Sequence, residues 1–304
     1  MSKVYDLIIL GAGPAGITAS VYAARKKMDC FIITEDIGGQ TAWSGDIENY
    51  TGYQFITGPE LTLKFQEHLE SFGIEVKMPE RVLEIKGEGN LIKTISEGGE
   101  YLSKTLIVAT GKQSRLLGVE GEKEFKNKGL TYCATCDGPL FKGKNVAVIG
   151  GGNSGLEAAM QQMKISPKVY IVEVGVDLTG DPIMVEKVKK ASNVEFWSNS
   201  KVKKIYGDVF VKGIEVEREG KLINLEVEGV FVEIGLFPNS EFAGILEKNH
   251  WQEIVIDCYN KTNVAGVFAA GDVTNVPEKQ IIIACGEGSK AALAAFRYLS
   301  RHKF

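Results

Sequence analysis

The sequence has no excess of basic residues and no long apolar run. Its 304 residues include 35 Lys and Arg against 39 Asp and Glu, which gives a formal net charge of −4. Proteins that bind phosphate backbones carry a clear basic excess, so nucleic acid is not expected as a partner. No apolar run approaches the roughly 20 residues of a membrane span, and the first residues are typical of a buried strand rather than a signal peptide. We therefore expect no membrane segment.

Cysteine is sparse as well. Of five cysteines, only Cys133 and Cys136 are spaced as C-x-x-C, and Cys30, Cys258 and Cys285 are scattered among apolar neighbours. Without a secretory signal, this small odd number is typical of the cytoplasm, and the three scattered cysteines are expected in the core. No second C-x-x-C or Cys/His pair completes a zinc site, so no metal is predicted.

Glycine, by contrast, is abundant, with 35 residues that cluster where strand patterns lead into helix patterns. A strand–helix–strand pattern covers 6–35, and a second one covers 145–173. Such units build parallel sheets covered by helices. The sequence therefore predicts an α/β protein with two Rossmann-like, dinucleotide-binding domains of the three-layer ββα type, the second inserted in the first. We place the first domain at 1–114 and 242–304 and the inserted domain at 115–241.

The first glycine turn, GAGPAG, follows a strand, opens a helix and is followed by Glu35 at the end of the next strand. In such a turn Gly11 makes the tight bend, Gly13 lets the backbone approach a pyrophosphate, and Gly16 allows close helix packing. The helix N-terminus stabilises the anion, and Glu35 can accept a hydrogen bond from a ribose hydroxyl. The candidate cofactor-binding residues of this turn are Gly11, Gly13, Pro14, Ala15 and Gly16.

Later segments favour FAD as the dinucleotide. The loop at 38–53 offers glycines and amides, ATG at 109–111 ends a strand, and AAGDV at 269–273 sets Asp272 beside a glycine. This combination resembles the flavoprotein disulfide reductase superfamily, in which that aspartate contacts the ribityl chain of FAD and the start of the closing helix lies near the flavin. The resemblance implies FAD as the cofactor, with further candidate contacts at Gly39, Gln40, Asn49, Thr110, Gly111, Gly271, Asp272, Gln280 and Ile281.

The segment TYCATCDGPLF at 131–141 carries the candidate chemistry. Two thiols with two residues between them can close a disulfide whose sulfurs exchange readily. Asp137 follows directly and is a candidate acid or base for these thiols. Half of a zinc site and a purely structural disulfide are the less favoured alternatives for Cys133 and Cys136.

The motif C-A-T-C-D-G inside the inserted domain resembles that of the low-molecular-weight thioredoxin reductases, and the resemblance covers nearly the whole chain. It implies that Cys136 faces the flavin and that Cys133 attacks the disulfide of thioredoxin. It further implies that Asp137 acts as acid and base, that thioredoxin is the partner, and that the protein is a homodimer.

The second glycine turn, GGGNSG at 150–155, is followed by VEVGVDLTGD at 172–181, which contains no Arg, Lys or His. NADPH-dependent members of the family carry arginines there, whereas Glu173 would repel a 2′-phosphate. In this respect the sequence resembles the ferredoxin-dependent flavin thioredoxin reductases, which lack the NADPH determinants. The resemblance favours reduced ferredoxin as the electron donor. In the alternative hypothesis, Glu173 accepts a hydrogen bond from the free 2′-hydroxyl of NADH.

Two functions of other classes stay open at this point. A flavin oxidase or a component of a peroxidase system would usually bring an additional N-terminal dithiol domain, whereas this sequence begins at the first glycine-turn strand. A non-catalytic flavin-binding protein would have little reason to retain an intact C-A-T-C-D. We therefore expect a thioredoxin-disulfide reductase.

Overall fold

The computed structural model describes residues 3–44 and 46–304. Its strands, in chain order, are β1 (Val4–Ala12), β2 (Cys30–Ile37), β3 (Asp46–Ile47), β4 (Ile56–Thr57), β5 (Glu75–Lys77), β6 (Val82–Glu88), β7 (Leu91–Ser96), β8 (Gly99–Val108), β9 (Lys112–Ser114), β10 (Leu130–Thr131), β11 (Val146–Ile149), β12 (Val169–Val172), β13 (Val194–Trp197), β14 (Ser200–Gly207), β15 (Val211–Arg218), β16 (Lys221–Glu226), β17 (Gly229–Val232), β18 (Leu236–Pro238) and β19 (Val267–Ala269). Its helices are α1 (Pro14–Arg25), α2 (Gly58–Ser71), α3 (Glu122–Phe125), α4 (Ala134–Asp137), α5 (Asn153–Gln162), α6 (Pro182–Lys190) and α7 (Ile281–Leu299).

The chain divides into two compact units, one of Met1–Gln113 with Phe237–Phe304 and the other of Ser114–Leu236. The second boundary lies five residues before the position we predicted. The reason is Asn239, whose backbone N donates to Gly111 O at 2.9 Å and whose Nδ2 donates to Thr110 O at 2.8 Å. These bonds join the segment after residue 236 to the first unit. The two connecting strands, β9 and β18, pair with each other.

The first unit is built on a seven-stranded sheet in the order β5-β2-β1-β8-β7-β6, with β19 paired to β8. Strands β5, β2, β1, β8 and β19 run parallel, while β6, β7 and β8 form an antiparallel meander. The apolar run at 7–10 in β1 is completely buried because the sheet is covered on both faces. Helices α1 and α7 pack closely against each other, since a Cβ added at Gly288 would lie 2.0 Å from Ala15 O.

The second unit repeats this plan on a smaller scale. A parallel sheet in the order β10-β17-β11-β12-β13 is joined by an antiparallel meander, β14-β15-β16. One core cluster packs Val202, Ile214 and Val216 of the meander with residues of the parallel sheet, and another includes Leu156 and Ala159 of α5 with the same sheet. The unit therefore has three layers, and the predicted α/β class with ββα-type domains is confirmed.

Within the described residues, none of the helices combines the length and the apolar character needed to cross a bilayer.

Candidate active site

The glycine turn of the first unit leaves open space in front of helix α1. Gly11 has φ +96°, and a Cβ there would lie 2.5 Å from Ala109 O. A Cβ at Gly16 would lie 1.8 Å from Gly11 O, so both positions require glycine for close packing. A Cβ at Gly13, in contrast, would meet nothing within 4 Å. Gly13 thus has room beside it for a ligand at the N-terminus of α1.

The second unit repeats this geometry closely. Gly150 has φ +115°, and a Cβ at Gly155 would lie 2.0 Å from Gly150 O. A Cβ at Gly152 would meet only Thr179 Oγ1, at 4.0 Å. Gly152 precedes α5 with φ −82° and ψ −174°, against −78° and −176° for Gly13 before α1, and neither helix start has a side-chain cap. The second turn therefore keeps the conformation of a dinucleotide-binding turn.

The two turns differ in the side chain of the second strand that accepts a hydrogen bond from the backbone of the turn. In the first unit Ala12 N donates to Thr34 Oγ1 at 3.1 Å. In the second unit Gly151 N donates to Glu173 Oε2 at 2.6 Å, and Gly175 N donates to Glu173 Oε1 at 2.7 Å. A carboxylate thus stands at the second turn where a hydroxyl stands at the first. Each of its oxygens keeps a lone pair for a further donor.

Glu35, the predicted ribose ligand of the first unit, lies one position further along the chain than Thr34. Its side chain is exposed, and Arg81 Nε lies 3.9 Å from Glu35 Oε1. Glu35 and Glu173 therefore occupy different places at their turns, although their spacing from the turn glycines is nearly equal. The spacing of the residues alone did not reveal this difference.

The other predicted FAD contacts lie in the first unit, and several of them are bonded in pairs. Asn49 Nδ2 donates to Gln280 Oε1 at 3.1 Å, which ties the loop after β3 to the start of α7. Gln40 Nε2 donates to Lys112 O, directly after Gly111. Ile281 packs on the small cluster of Ile47, Ile56 and Leu61, and Gly271 has φ +75° with an added Cβ only 2.9 Å from Ala15 Cβ.

Asp272 lies beside a group of buried charges that the sequence did not indicate. Burial raises the pKa of the Asp272 carboxyl, while the ammonium groups of Lys279 and Lys112 act to lower it. Both lysines pair with Glu253, Lys279 Nζ at 3.2 Å from Glu253 Oε1, and all three side chains are largely buried. Burial and the positive charge of Lys112 lower the pKa of Lys279. Lys112 and Glu253 are 141 residues apart, so no local pattern could have predicted the pair.

The predicted redox residues lie together in the second unit. Cys133 and Cys136 form a disulfide with a Cα–Cα distance of 5.3 Å, at the start of the short helix α4. Cys136 is exposed and Cys133 is partly buried. Thr131 Oγ1 donates to Asp137 Oδ2 and accepts from Cys133 N at 3.1 Å, so Thr131 links the carboxylate to the first cysteine. Glu233, which no sequence pattern indicated, accepts from Ala134 N at 3.3 Å through its Oε1.

The remaining cysteines divide between core and surface. Cys285 is buried and Cys30 is partly buried, but Cys258 is exposed, so its expected place in the core was wrong. Cys258 lies in a turn where Asp257 Oδ1 accepts from the backbone N of Tyr259 and Lys261. Among the residues that the structure describes, no three His, Cys, Asp or Glu side chains are grouped to hold a metal ion.

A family model described as pyridine nucleotide-disulphide oxidoreductase matches residues 5–288. This match runs through both units and includes both glycine turns and the disulfide. The chain belongs to the pyridine nucleotide-disulphide oxidoreductase family.

Relatives within this family carry different names. The chain is 42% identical over 301 residues to an NADH dehydrogenase of Ferdinandcohnia aciditolerans, a match that covers 98% of the chain and 58% of the relative. It is 42% identical over 307 residues to one component of the alkyl hydroperoxide reductase of Escherichia coli K12, with 98% and 59% covered. The chain spans about three fifths of the length of these curated relatives. A thioredoxin reductase structure from Streptococcus pyogenes MGAS5005 superposes with a TM-score of 0.94 at 35% identity, over 99% of this chain and 100% of that one.

As a member of this family with this fold, the chain uses FAD, and the predicted cofactor is confirmed. The first unit fits FAD physically. The open space beside Gly13 can take a pyrophosphate, and the ribityl hydroxyls could donate hydrogen bonds to the largely buried carboxyl of Asp272. The individual contacts remain predictions, and the residues that would hold FAD are Gly11, Gly13, Pro14, Ala15, Gly16, Glu35, Gly39, Gln40, Asn49, Thr110, Gly111, Gly271, Asp272, Gln280 and Ile281.

Proposed function

We propose that the chain is an NADH-dependent flavoprotein disulfide reductase that passes electrons through FAD to Cys133–Cys136 and on to a thioredoxin-type disulfide of a partner protein. The observation that carries the proposal is the C-x-x-C disulfide, whose Cys136 is exposed, in a chain of this family. The similarity to a thioredoxin reductase over its whole length supports thioredoxin as the partner. A non-catalytic flavin-binding protein would need neither sulfur.

NADH is proposed as the donor because the second turn keeps its full geometry. Gly152 has nearly the same conformation as Gly13 and similar open space beside it, as a turn that still binds a pyrophosphate requires. Glu173 stands where a ribose hydroxyl can donate to it and where a 2′-phosphate would be repelled. The ammonium group of Lys189 lies 3.7 Å from Asp177 Oδ1 in the following loop, so its positive charge is already paired. A relative named NADH dehydrogenase supports the same donor.

This proposal departs from the hypothesis that the sequence favoured, in which ferredoxin is the donor. That hypothesis rested on the missing basic residues, and it stays a prediction that no finding tests. The discriminating experiment is to mix the oxidised protein anaerobically with NADH, NADPH or reduced ferredoxin and to follow the flavin absorbance. We expect NADH to bleach the flavin at least about tenfold faster than NADPH. A tenfold ratio corresponds to a difference of about 1.4 kcal/mol between the two nucleotides. Bleaching by ferredoxin alone would overturn NADH as the donor.

The chain's own residues account for the disulfide chemistry. When bound, FAD supplies the transfer of an electron pair between a donor and the disulfide. Two electrons and one proton convert the Cys133–Cys136 bond into one thiol and one thiolate. Cys133 Sγ then attacks one sulfur of the partner disulfide, whose S–S bond breaks, and the other partner sulfur leaves as a thiolate. Cys136 Sγ attacks the resulting mixed disulfide at Cys133, releases the second partner sulfur and restores the original bond.

Asp137 is placed to manage protons in these steps. Its carboxylate is held by Thr131, which also bonds to Cys133 N, so it stays beside the redox turn. We expect it to give a proton to a departing thiolate and to take one from a thiol that is about to attack.

Thioredoxin as the partner is tested by following the reduction of its disulfide with NADH as the donor. Cys133→Ser should abolish this reduction while the FAD content stays that of the wild type. Wild-type protein that is reduced by NADH but leaves thioredoxin oxidised would contradict thioredoxin as the partner and leave the donor assignment intact. The homodimer and the cytoplasmic location remain predictions, and light scattering of the purified protein would decide the first.

A further inference from the structure

A carboxyl group at the redox turn has no part in the mechanism above. Glu233 directly follows β17, and its Oε1 accepts from the backbone N of Ala134, the residue after Cys133, at 3.3 Å. Its own backbone N donates to Ile149 O at 2.8 Å. Its carbonyl oxygen lies so close to Gly150 that a Cβ there would be 2.3 Å away. The residue is therefore fixed between the second glycine turn and the redox turn.

The surroundings of Glu233 disfavour its charge. Burial raises the pKa of the carboxyl to about 7, the carboxylate of Glu157 adds to this effect, and the hydrogen bond from Ala134 N opposes it. Strands β10 and β11, which lie beside β17 in the sheet, carry no charged residue. Helix α5 contributes Glu157, and Asp137 ends the redox helix α4. The charged residues of β15 are Lys212, Glu215, Glu217 and Arg218, and none of them contributes to the shift at Glu233.

We propose that Glu233 is a second proton-holding group of the redox centre, a positioning residue whose protonation state sets the thiolate fraction of Cys133. The inference rests on the proposed disulfide reduction and deepens it. An ionised Glu233 repels the negative charge that develops on Cys133 Sγ, so it raises the pKa of that thiol. A protonated Glu233 removes this repulsion. Reduction of the disulfide therefore draws a proton onto Glu233, and reoxidation releases that proton.

The test is the reactivity of Cys133 as a function of pH in the full-length, FAD-loaded Cys136→Ser protein. There Cys133 is the single thiol of the motif, and its alkylation by iodoacetamide is followed by mass spectrometry of the peptide that contains it. With Glu233 present, we expect an inflection near pH 7 in addition to that of the thiol. Adding Glu233→Gln should remove the first inflection and should speed alkylation roughly three- to tenfold at pH 8, with less than about twofold change at pH 6.

Glu157→Gln is the matched control, because it removes an exposed carboxylate of α5 that acts on Glu233 through its charge. It should keep both inflections and move the first one to lower pH. Superimposable profiles with and without Glu233→Gln, in proteins of equal FAD content and equal circular dichroism, would overturn the inference. Alkylation needs neither NADH nor thioredoxin, so this result is independent of whether the proposed reduction occurs. If thioredoxin is reduced normally and the profiles are superimposable, the inference about Glu233 is overturned while the proposed function stands.

Discussion

Glu173 holds the second glycine turn together and also sets its charge. The same turn in the first unit is closed by the neutral hydroxyl of Thr34. Both oxygens of Glu173 accept from backbone amides, at Gly151 and Gly175, so the carboxylate cannot swing away from an approaching nucleotide without losing two hydrogen bonds. In the proposed function, this fixed negative charge is what discriminates between a ribose hydroxyl and a phosphate.

Replacing this carboxylate by an amide tests that discrimination. In Glu173→Gln we expect the KM for NADH to rise about tenfold or more, since a hydrogen bond to a charged group contributes about 1.5–3 kcal/mol. The KM for NADPH should fall, because the repulsion of its 2′-phosphate is removed. Steady-state kinetics with both nucleotides measure the two changes. Asp177→Asn, an exposed neighbour in the same loop, should change neither KM by more than about twofold, and an unaltered NADH-to-NADPH ratio in Glu173→Gln would refute the role of Glu173.

Glu233 also affects stability, in a direction that its pKa fixes. The pKa in the folded protein is about 7, above the ordinary value of 4.5, so folding favours the protonated carboxyl. This contribution is complete below pH 4.5 and is lost as the pH rises through 7. The glutamine in Glu233→Gln cannot ionise. The free energy of unfolding of this variant, measured relative to the wild type, should therefore rise by about 1–3 kcal/mol from pH 5 to pH 8. Thermal unfolding at both pH values measures this gain, and an equal difference at the two would contradict it.

For individual residues, the sequence predicts the site well where the interacting residues are close in the chain. Cys133, Cys136 and Asp137 stand within five residues, and thiol chemistry alone makes them candidates. Glu233 meets Ala134 across 99 residues, and no spacing rule connects them. Such pairs are created by neighbouring strands of a parallel sheet, whose order the sequence does not state. The exposed Cys258 shows the converse error, because it lies in a turn closed by hydrogen bonds to Asp257 and not in the core.

The two strand–turn–helix elements have glycines with separable tasks. Gly16 and Gly155 permit close contact of helix and turn, whereas Gly13 and Gly152 leave open space. An alanine at either open position fits the protein but occupies the space that the proposed ligand needs. We therefore expect the closely packed glycines to be required for folding and the two open ones to be required for binding.

A matched pair of variants uses this distinction. Gly13→Ala should fold but lose most of its FAD, and Gly152→Ala should keep FAD and show a KM for NADH raised about tenfold or more, equivalent to at least about 1.4 kcal/mol. Flavin content by absorbance and steady-state kinetics measure the two effects. Gly244→Ala is the control, since a Cβ there also meets nothing within 4 Å and lies outside both turns. Normal NADH kinetics in Gly152→Ala would contradict a working nucleotide site and would favour ferredoxin.

The sequence predicts these elements well because their signals are local. β1, α1 and β2, and likewise β11, α5 and β12, lie where the hydrophobic patterns and glycine turns place them. The domain boundary was harder to predict, since it depends on Asn239 bonding to Thr110 and Gly111, which no local pattern encodes.

At the scale of the whole molecule, each unit has a core of its own. The second unit is a continuous segment, Ser114–Leu236, with two apolar clusters, and its ends lie together because β9 and β18 pair. The first unit is discontinuous and needs both of its segments, since β19 and α7 complete its sheet and its helical layer.

This division predicts that the segment 114–236 folds when it is expressed alone. It should unfold cooperatively, form the Cys133–Cys136 disulfide and bind no FAD, because the predicted FAD contacts lie in the other unit. Circular dichroism melting and a count of thiols before and after reduction measure these properties. The full-length protein is the control, and a segment without a cooperative transition would show that the two cores depend on each other.

In the proposed function, electrons from NADH reach the disulfide through FAD. The most direct measurement is an anaerobic titration with NADH that counts equivalents to full reduction in the wild type and in Cys136→Ser. We expect about two equivalents for the wild type, one for the flavin and one for the disulfide, and about one for the variant. One equivalent for both proteins would show that the disulfide is not in the path, and no bleaching by NADH would show that the donor is different.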